Sequence, residues 1–153
     1  MAGDCSEGAP GSPRPLFIHR QTVRFPDVDH AGIAFFGVFF TYCHNAQEEW
    51  LAAIGYPLPE LLTGRGTGLP VVRVECDFAS PARHGDVLRI DVFAERTGAK
   101  SITFRYELTN ETEARAVGVV RITQVAVKMQ EMRAIPIPDF LRAALVTAAR
   151  ETS

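Results

Sequence analysis

Residues 39–54 read FFTYCHNAQEEWLAAI. Phe39, Tyr42, Cys43, Ala46, Trp50, Ala53 and Ile54 recur at steps of three and four, which sets them on one face of an α-helix. Thr41, Asn45 and Glu48 fall on the opposite side. The run holds no proline, and Gly55 followed by Tyr56-Pro57 supplies a stop. A helix this apolar needs to be enclosed by other elements.

Downstream the period changes to two. Val72, Val74, Cys76 and Phe78 alternate with Arg73, Glu75 and Asp77. Leu88, Ile90, Val92 and Ala94 form a second series, and Ile102, Phe104, Tyr106 and Leu108 a third. Each reads as a strand with one covered face. The turns at residues 80–85 and 97–99 are short, so successive strands are expected to be antiparallel neighbours. A last strand is expected over residues 115–129, ended by Pro136 and Pro138, with a short helix over 139–150. A Gly-rich loop (residues 63–68) follows the central helix. Upstream, residues 17–25 are rich in strand formers, and residues 26–32 read as a loop. No internal repeat is present.

The order is strand, long apolar helix, then four strands. A sheet wrapped around the helix is the simplest way to bury it, leaving one edge and an outer face for a second subunit. That is the hotdog arrangement, an α+β fold with a five-stranded antiparallel sheet around one central helix. The expected division is a disordered lead over residues 1–15, the folded domain over 16–139, and a helix or tail over 140–153.

Composition bounds the function. The chain has 153 residues, enough for one domain, with 46% hydrophobic and 22% charged residues. A net charge of -2 argues against a nucleic-acid binder driven by bulk charge, so an anionic ligand needs local cations. Cys5, Cys43 and Cys76 show no metal-ligand spacing and suit a reducing, cytoplasmic setting. No window is apolar enough to span a membrane, and the first residues lack the pattern of a signal peptide.

The segment RFPDVDHAGIAFF, residues 24–36, places two carboxylates and a histidine just ahead of the helix. A helix N-terminus presents free N–H groups and partial positive charge. A carboxylate beside such donors can attack a thioester carbonyl or activate water while the donors hold the oxyanion. The competing reading is a polar loop whose aspartate caps the helix.

Asp27-Val28-Asp29-His30-Ala31-Gly32-Ile33 followed by Phe35-Phe36 resembles the D-x-D-x-x-G-[IV] motif of the 4-hydroxybenzoyl-CoA thioesterase family. Pro81-Ala82 with Gly85-Asp86-Val87-Leu88 is similar to that family's P-A-x-x-G-D-x-L turn. CHNAQEEWL (residues 43–51) and LPVV (69–72) resemble its 1,4-dihydroxy-2-naphthoyl-CoA hydrolase branch. The resemblance implies hydrolysis of an acyl-CoA thioester, with an aromatic or related acyl group, in a homodimer or a tetramer of dimers. It puts the catalytic carboxylate at Asp29, the oxyanion donor at the Phe36 N–H, and the close loop approach at Gly32. Lys100 and Arg133 match cations near the CoA phosphates, or else are solvated surface charges.

Phe36-Gly37 stands where many relatives have Tyr-His, so no phenol or imidazole is available there. His30 replaces a proline and either tunes Asp29, binds substrate, or is a partly exposed loop residue. His44 faces away from the chain's own core, towards an acyl polar group by resemblance, or towards interface or solvent. Glu49 reads as a second carboxylate or as a structural hydrogen-bond partner. No metal or redox cofactor is expected, coenzyme A being part of the substrate. Release of an acyl chain from a carrier protein, and a non-catalytic acyl-CoA-binding module, are the competing functions.

Overall fold

The computed structural model describes residues 14–150. The expected lead over residues 1–15, Cys5 included, falls almost wholly outside them. The elements are strand β1 (Phe17–Thr22), helix α1 (Val38–Ala53), then strands β2 (Thr67–Gly68), β3 (Val71–Phe78), β4 (Val87–Thr97), β5 (Ser101–Asn110), β6 (Arg115–Val125), β7 (Val127–Lys128) and β8 (Arg133–Ala134). Helix α2 (Asp139–Arg150) closes the chain's described part. Five strands form one antiparallel sheet in the order β1-β4-β5-β6-β3, curled around α1 as a hotdog fold.

The helix lies where its periodicity puts it. Phe39, Tyr42, Cys43, Ala46, Trp50 and Leu51 are buried, and the Trp50 ring meets Phe104 edge-on at 5.6 Å. On the sheet, Leu88, Ile90, Val92, Ile102, Phe104, Tyr106 and Leu108 answer from β4 and β5. Gly55 ends the helix at φ +95°, the conformation a glycine enters without strain. Burial drives the Cys43 thiol well above its usual range, with Cys76 adding to the shift, so it is protonated and unreactive.

The structure departs from the sequence pattern at several places, among them the expected loop over residues 63–68, where Glu60–Gly64 form a helical turn and Thr67–Gly68 form β2 because they pair with Val127–Lys128. The first strand ends at Thr22, short of residue 25, because Phe25–Asp27 form a single tight turn around Pro26, which has no N–H for a ladder. The expected strand over residues 115–129 breaks at Ala126, and Val127–Lys128 join β2 and β8 in a small second sheet.

A further correction concerns pairing. β3 and β4 are not neighbours: β3 lies at the far edge beside β6, and β4 lies between β1 and β5. Residues 79–86 therefore cross the end of the sheet instead of closing a hairpin. Another concerns burial. The expected face of β3 is covered only in part: Cys76 is half-buried against the core and the Phe78 ring meets Phe39 at 5.4 Å, but Val71, Val72, Val74 and Phe78 remain 53%, 60%, 41% and 54% exposed.

Candidate active site

The loop ahead of α1 folds on itself. Val28 pairs with Ala34 across it, and Ile33 pairs with Arg83 of the crossover segment. Asp29 N–H donates to Ile33 O at 2.9 Å, and Gly32 N–H closes the turn on Asp29 O at 2.9 Å. Gly32 takes φ +77°, while a Cβ there would meet no atom of the chain within 4 Å. The demand on this position within the chain is thus the left-handed turn itself.

Asp27 ties this loop down. Its carboxylate accepts the Tyr42 hydroxyl at 2.7 Å and the Arg24 N–H at 3.0 Å. Its carbonyl accepts the Phe35 N–H at 2.8 Å. Burial first, and the Asp27 carboxylate second, hold the Tyr42 phenol far above its usual range, so it stays a donor. The next peptide is fixed on its other side, because Phe35 O accepts Val38 N–H at 2.9 Å. The Phe36 N–H is left without an acceptor among the described residues. It lies one residue ahead of Gly37, the N-cap of α1, so it sits at the mouth of the helix N-terminus.

The crossover segment supplies the facing wall. Ala82 O accepts Ala34 N–H at 2.7 Å, while Ala79 and Ser80 N–H groups both donate to Val117 O of β6. Gly85 and Asp86 bond to Val23 through the main chain. Between loop and wall lies a cleft of about 390 Å³ lined by Asp29, Ile33, Ala34, Phe36, Phe39, Phe78 and residues 79–82. Its lining is apolar apart from two side chains, those of Asp29 and Ser80. The Asp29 carboxylate is exposed, and its Oδ1 accepts the Ala31 N–H at 2.8 Å. This Asx turn holds one carboxylate oxygen in place.

Asp29 and Phe36 thus share one cleft, with Gly32 and His30 in the same loop, whereas Glu49, His44, Lys100 and Arg133 lie elsewhere on the chain. His30 is exposed beside Asp29. Glu49 sits on the far side of α1, 2.8 Å from His19 Nδ1, in a polar groove with Gln21 and Asn45. His44 is exposed one turn before Glu48, at 4.0 Å from it. Lys100 lies between β4 and β5, and its carbonyl accepts the Ala126 N–H. Arg133 pairs with Glu131 at 3.1 Å. Ile135 N–H bonds Ala126 O, so Lys100 and β8 meet at one end of the sheet. The cleft lies at the other end, separated by the 11 residues of β4, about 36 Å at some 3.3 Å per residue.

Sequence reasoning missed Tyr42 and Ser80 as residues of the site. Tyr42 read as one more core position of the helix, and a lone serine in a turn carries no pattern. Among the described residues no group of three or more His, Cys, Asp or Glu side chains is placed to hold a metal ion.

A curled five-stranded sheet around one long helix, with a carboxylate and a free N–H just ahead of the helix N-cap in one cleft, defines a hotdog protein built for acyl chemistry. The thioesterase-like superfamily model matches residues 23–145, and the chain belongs to that family. It is 31% identical over 142 residues to a 1,4-dihydroxy-2-naphthoyl-CoA hydrolase of Thermosynechococcus vestitus, covering 93% of this chain and 97% of that one. A crystal structure of a thioesterase-superfamily protein from Jannaschia superposes with a TM-score of 0.81 at 31% identity, over 89% of this chain and 96% of that one. The structure of a 1,4-dihydroxy-2-naphthoyl-CoA thioesterase from Synechocystis gives 0.79 at 26% identity, over 85% and 95%.

Proposed function

We propose that the chain is an acyl-CoA thioesterase acting on an aromatic acyl group. The observation that carries this reading is the shared cleft of Asp29 and the free Phe36 N–H. Asp29 either activates water to attack the thioester carbonyl, or attacks it directly to form an acyl–Asp29 anhydride that water then hydrolyses to free acid and carboxylate. The Phe36 N–H and the partial positive charge of the α1 N-terminus hold the oxyanion until the CoA thiolate leaves. The rings of Phe36, Phe39 and Phe78 line the cleft and favour a flat acyl group.

The functional unit is a homo-oligomer. β3 is an edge strand whose valines are exposed, which suits pairing with a second β3. Antiparallel pairing of the two edges about a two-fold axis lays one chain's Phe78 end beside the partner's Val71 end. Val71 pairs with Gln124, and Ser101 pairs with Val125 close by. The partner's Lys100 and Arg133 therefore come towards the Asp29 end, where one chain alone has neither. These cations would hold the CoA phosphates, with no metal needed and the reaction taking place in the cytoplasm.

The direct test is a hydrolysis panel of benzoyl-, hydroxybenzoyl-, dihydroxynaphthoyl-, phenylacetyl- and medium-chain acyl-CoAs, each with and without EDTA. Aromatic thioesters should be cleaved fastest and EDTA should change nothing. Preference for the same acyl group on a carrier protein, or metal-restorable loss in EDTA, would contradict the reading. For the anchors, Lys100→Ala and Arg133→Ala are each expected to raise KM about 10-fold while kcat changes little, as for a remote charged contact. Steady-state kinetics with unchanged KM in both variants would remove these residues from the site.

A further inference from the structure

In a cleft whose other lining side chains are apolar, Ser80 is the one polar side chain besides Asp29. It is held from three sides. Its N–H donates to Val117 O, and its hydroxyl donates to Ala116 O at 2.5 Å, so both bonds run to β6. Its Oγ also accepts Arg115 Nη1. Arg115 is in turn placed by Glu113 and, at 3.8 Å, by Asp86.

A serine hydroxyl has one proton and two lone pairs. The proton is committed to Ala116 O, and Arg115 occupies one lone pair. One lone pair remains, on an oxygen that cannot turn away without giving up its other bonds. Such an atom accepts a hydrogen bond, and its fixed neighbours leave it no proton to offer. The ligand group it suits is a donor, and on an aromatic acyl group that is a phenolic hydroxyl.

The geometry points to Ser80 as the residue that selects hydroxylated aromatic acyl groups over unsubstituted ones. This rests on the thioesterase reading and gives the same cleft a polar reader for a substituent of the acyl group. A site that spends a hydrogen bond on a substrate hydroxyl discriminates against the analogue without it, whereas an apolar wall of the same shape does not.

The test compares benzoyl-CoA with the hydroxybenzoyl-CoA isomers and their methoxy analogues, which accept hydrogen bonds but donate none. The wild type should favour one hydroxy isomer over both benzoyl and methoxy partners. Ser80→Ala should lower the ratio of kcat/KM for that isomer to kcat/KM for benzoyl-CoA by about 3- to 10-fold, the usual reach of one neutral hydrogen bond. Ser80→Thr, which keeps the hydroxyl, should recover most of the preference. Equal losses on all substrates in Ser80→Ala, or equal wild-type rates on hydroxy, methoxy and unsubstituted forms, would overturn the assignment while leaving the thioesterase intact. A wild type that cleaves no aromatic acyl-CoA overturns the thioesterase reading, and the Ser80 assignment falls with it.

Discussion

Asp29→Asn is expected to fold, to bind acyl-CoA, and to lose a factor of about 10² or more in kcat, the usual cost of removing an acid–base or nucleophilic group. The local geometry makes this a clean substitution. Among the described residues Asp29 Oδ1 accepts only the Ala31 N–H, and an asparagine oxygen can accept the same bond. The main-chain bonds to Ile33 and Gly32 do not involve the side chain. The carboxylate is exposed, so its loss leaves no buried partner unpaired. Asp27→Asn should be much milder in kcat, because an amide oxygen can still receive the Tyr42 hydroxyl and the Arg24 N–H. Single-turnover rates and a melting curve on both variants check the expectation. A folded Asp29→Asn chain turning over near the wild-type rate would reject the mechanism. Glu49 offers no ready substitute within the chain, since it is bound to His19 and lies outside the cleft.

What the sequence disclosed follows the range of the interactions involved. Helix α1 and the loop ahead of it were legible because their signals are local. The i, i+3, i+4 spacing of Phe39 to Ile54 fixes one face, and the two aspartates and the glycine lie within six residues. The fold class also followed, because a long apolar helix among alternating strands leaves few ways to bury it. Pairing was less legible. An alternating strand looks the same whether its partner is the next strand or one much later, so the sequence alone points β3 at β4 while the fold pairs it with β6. The difference matters for the site, because residues 79–86 build the wall of the cleft only by crossing the sheet end. Ser80 acquires its meaning from Ala116 and Arg115, about 35 positions away, and no spacing rule reaches that far. Lys100 and Arg133 illustrate the same limit across chains: both were named from the sequence, and in one chain neither lies near Asp29.

That separation sets the second large expected effect, on β3. Its alternation predicted a covered face, yet Val72 and Val74 are exposed in the chain alone. An exposed edge strand with apolar side chains is unusual in a protein that remains a monomer, because it is a template for pairing. Sedimentation at micromolar concentration should therefore show a dimer or larger for the wild type. Val74→Lys puts a charge on that edge at a position already 41% exposed, so the chain itself should still fold. The charge opposes pairing, since the two-fold axis brings each lysine towards its copy. The monomer that results should keep the Asp29–Phe36 cleft but lose the partner's Lys100 and Arg133. Two charge-assisted contacts are worth about 1.5–3 kcal/mol each, so kcat/KM for acyl-CoA should fall by about 10² or more. The loss should reside in KM, unlike that of Asp29→Asn. A wild type that sediments as a monomer and is fully active would refute the shared site. So would a monomeric Val74→Lys with wild-type KM, since one chain would then hold the whole of its substrate.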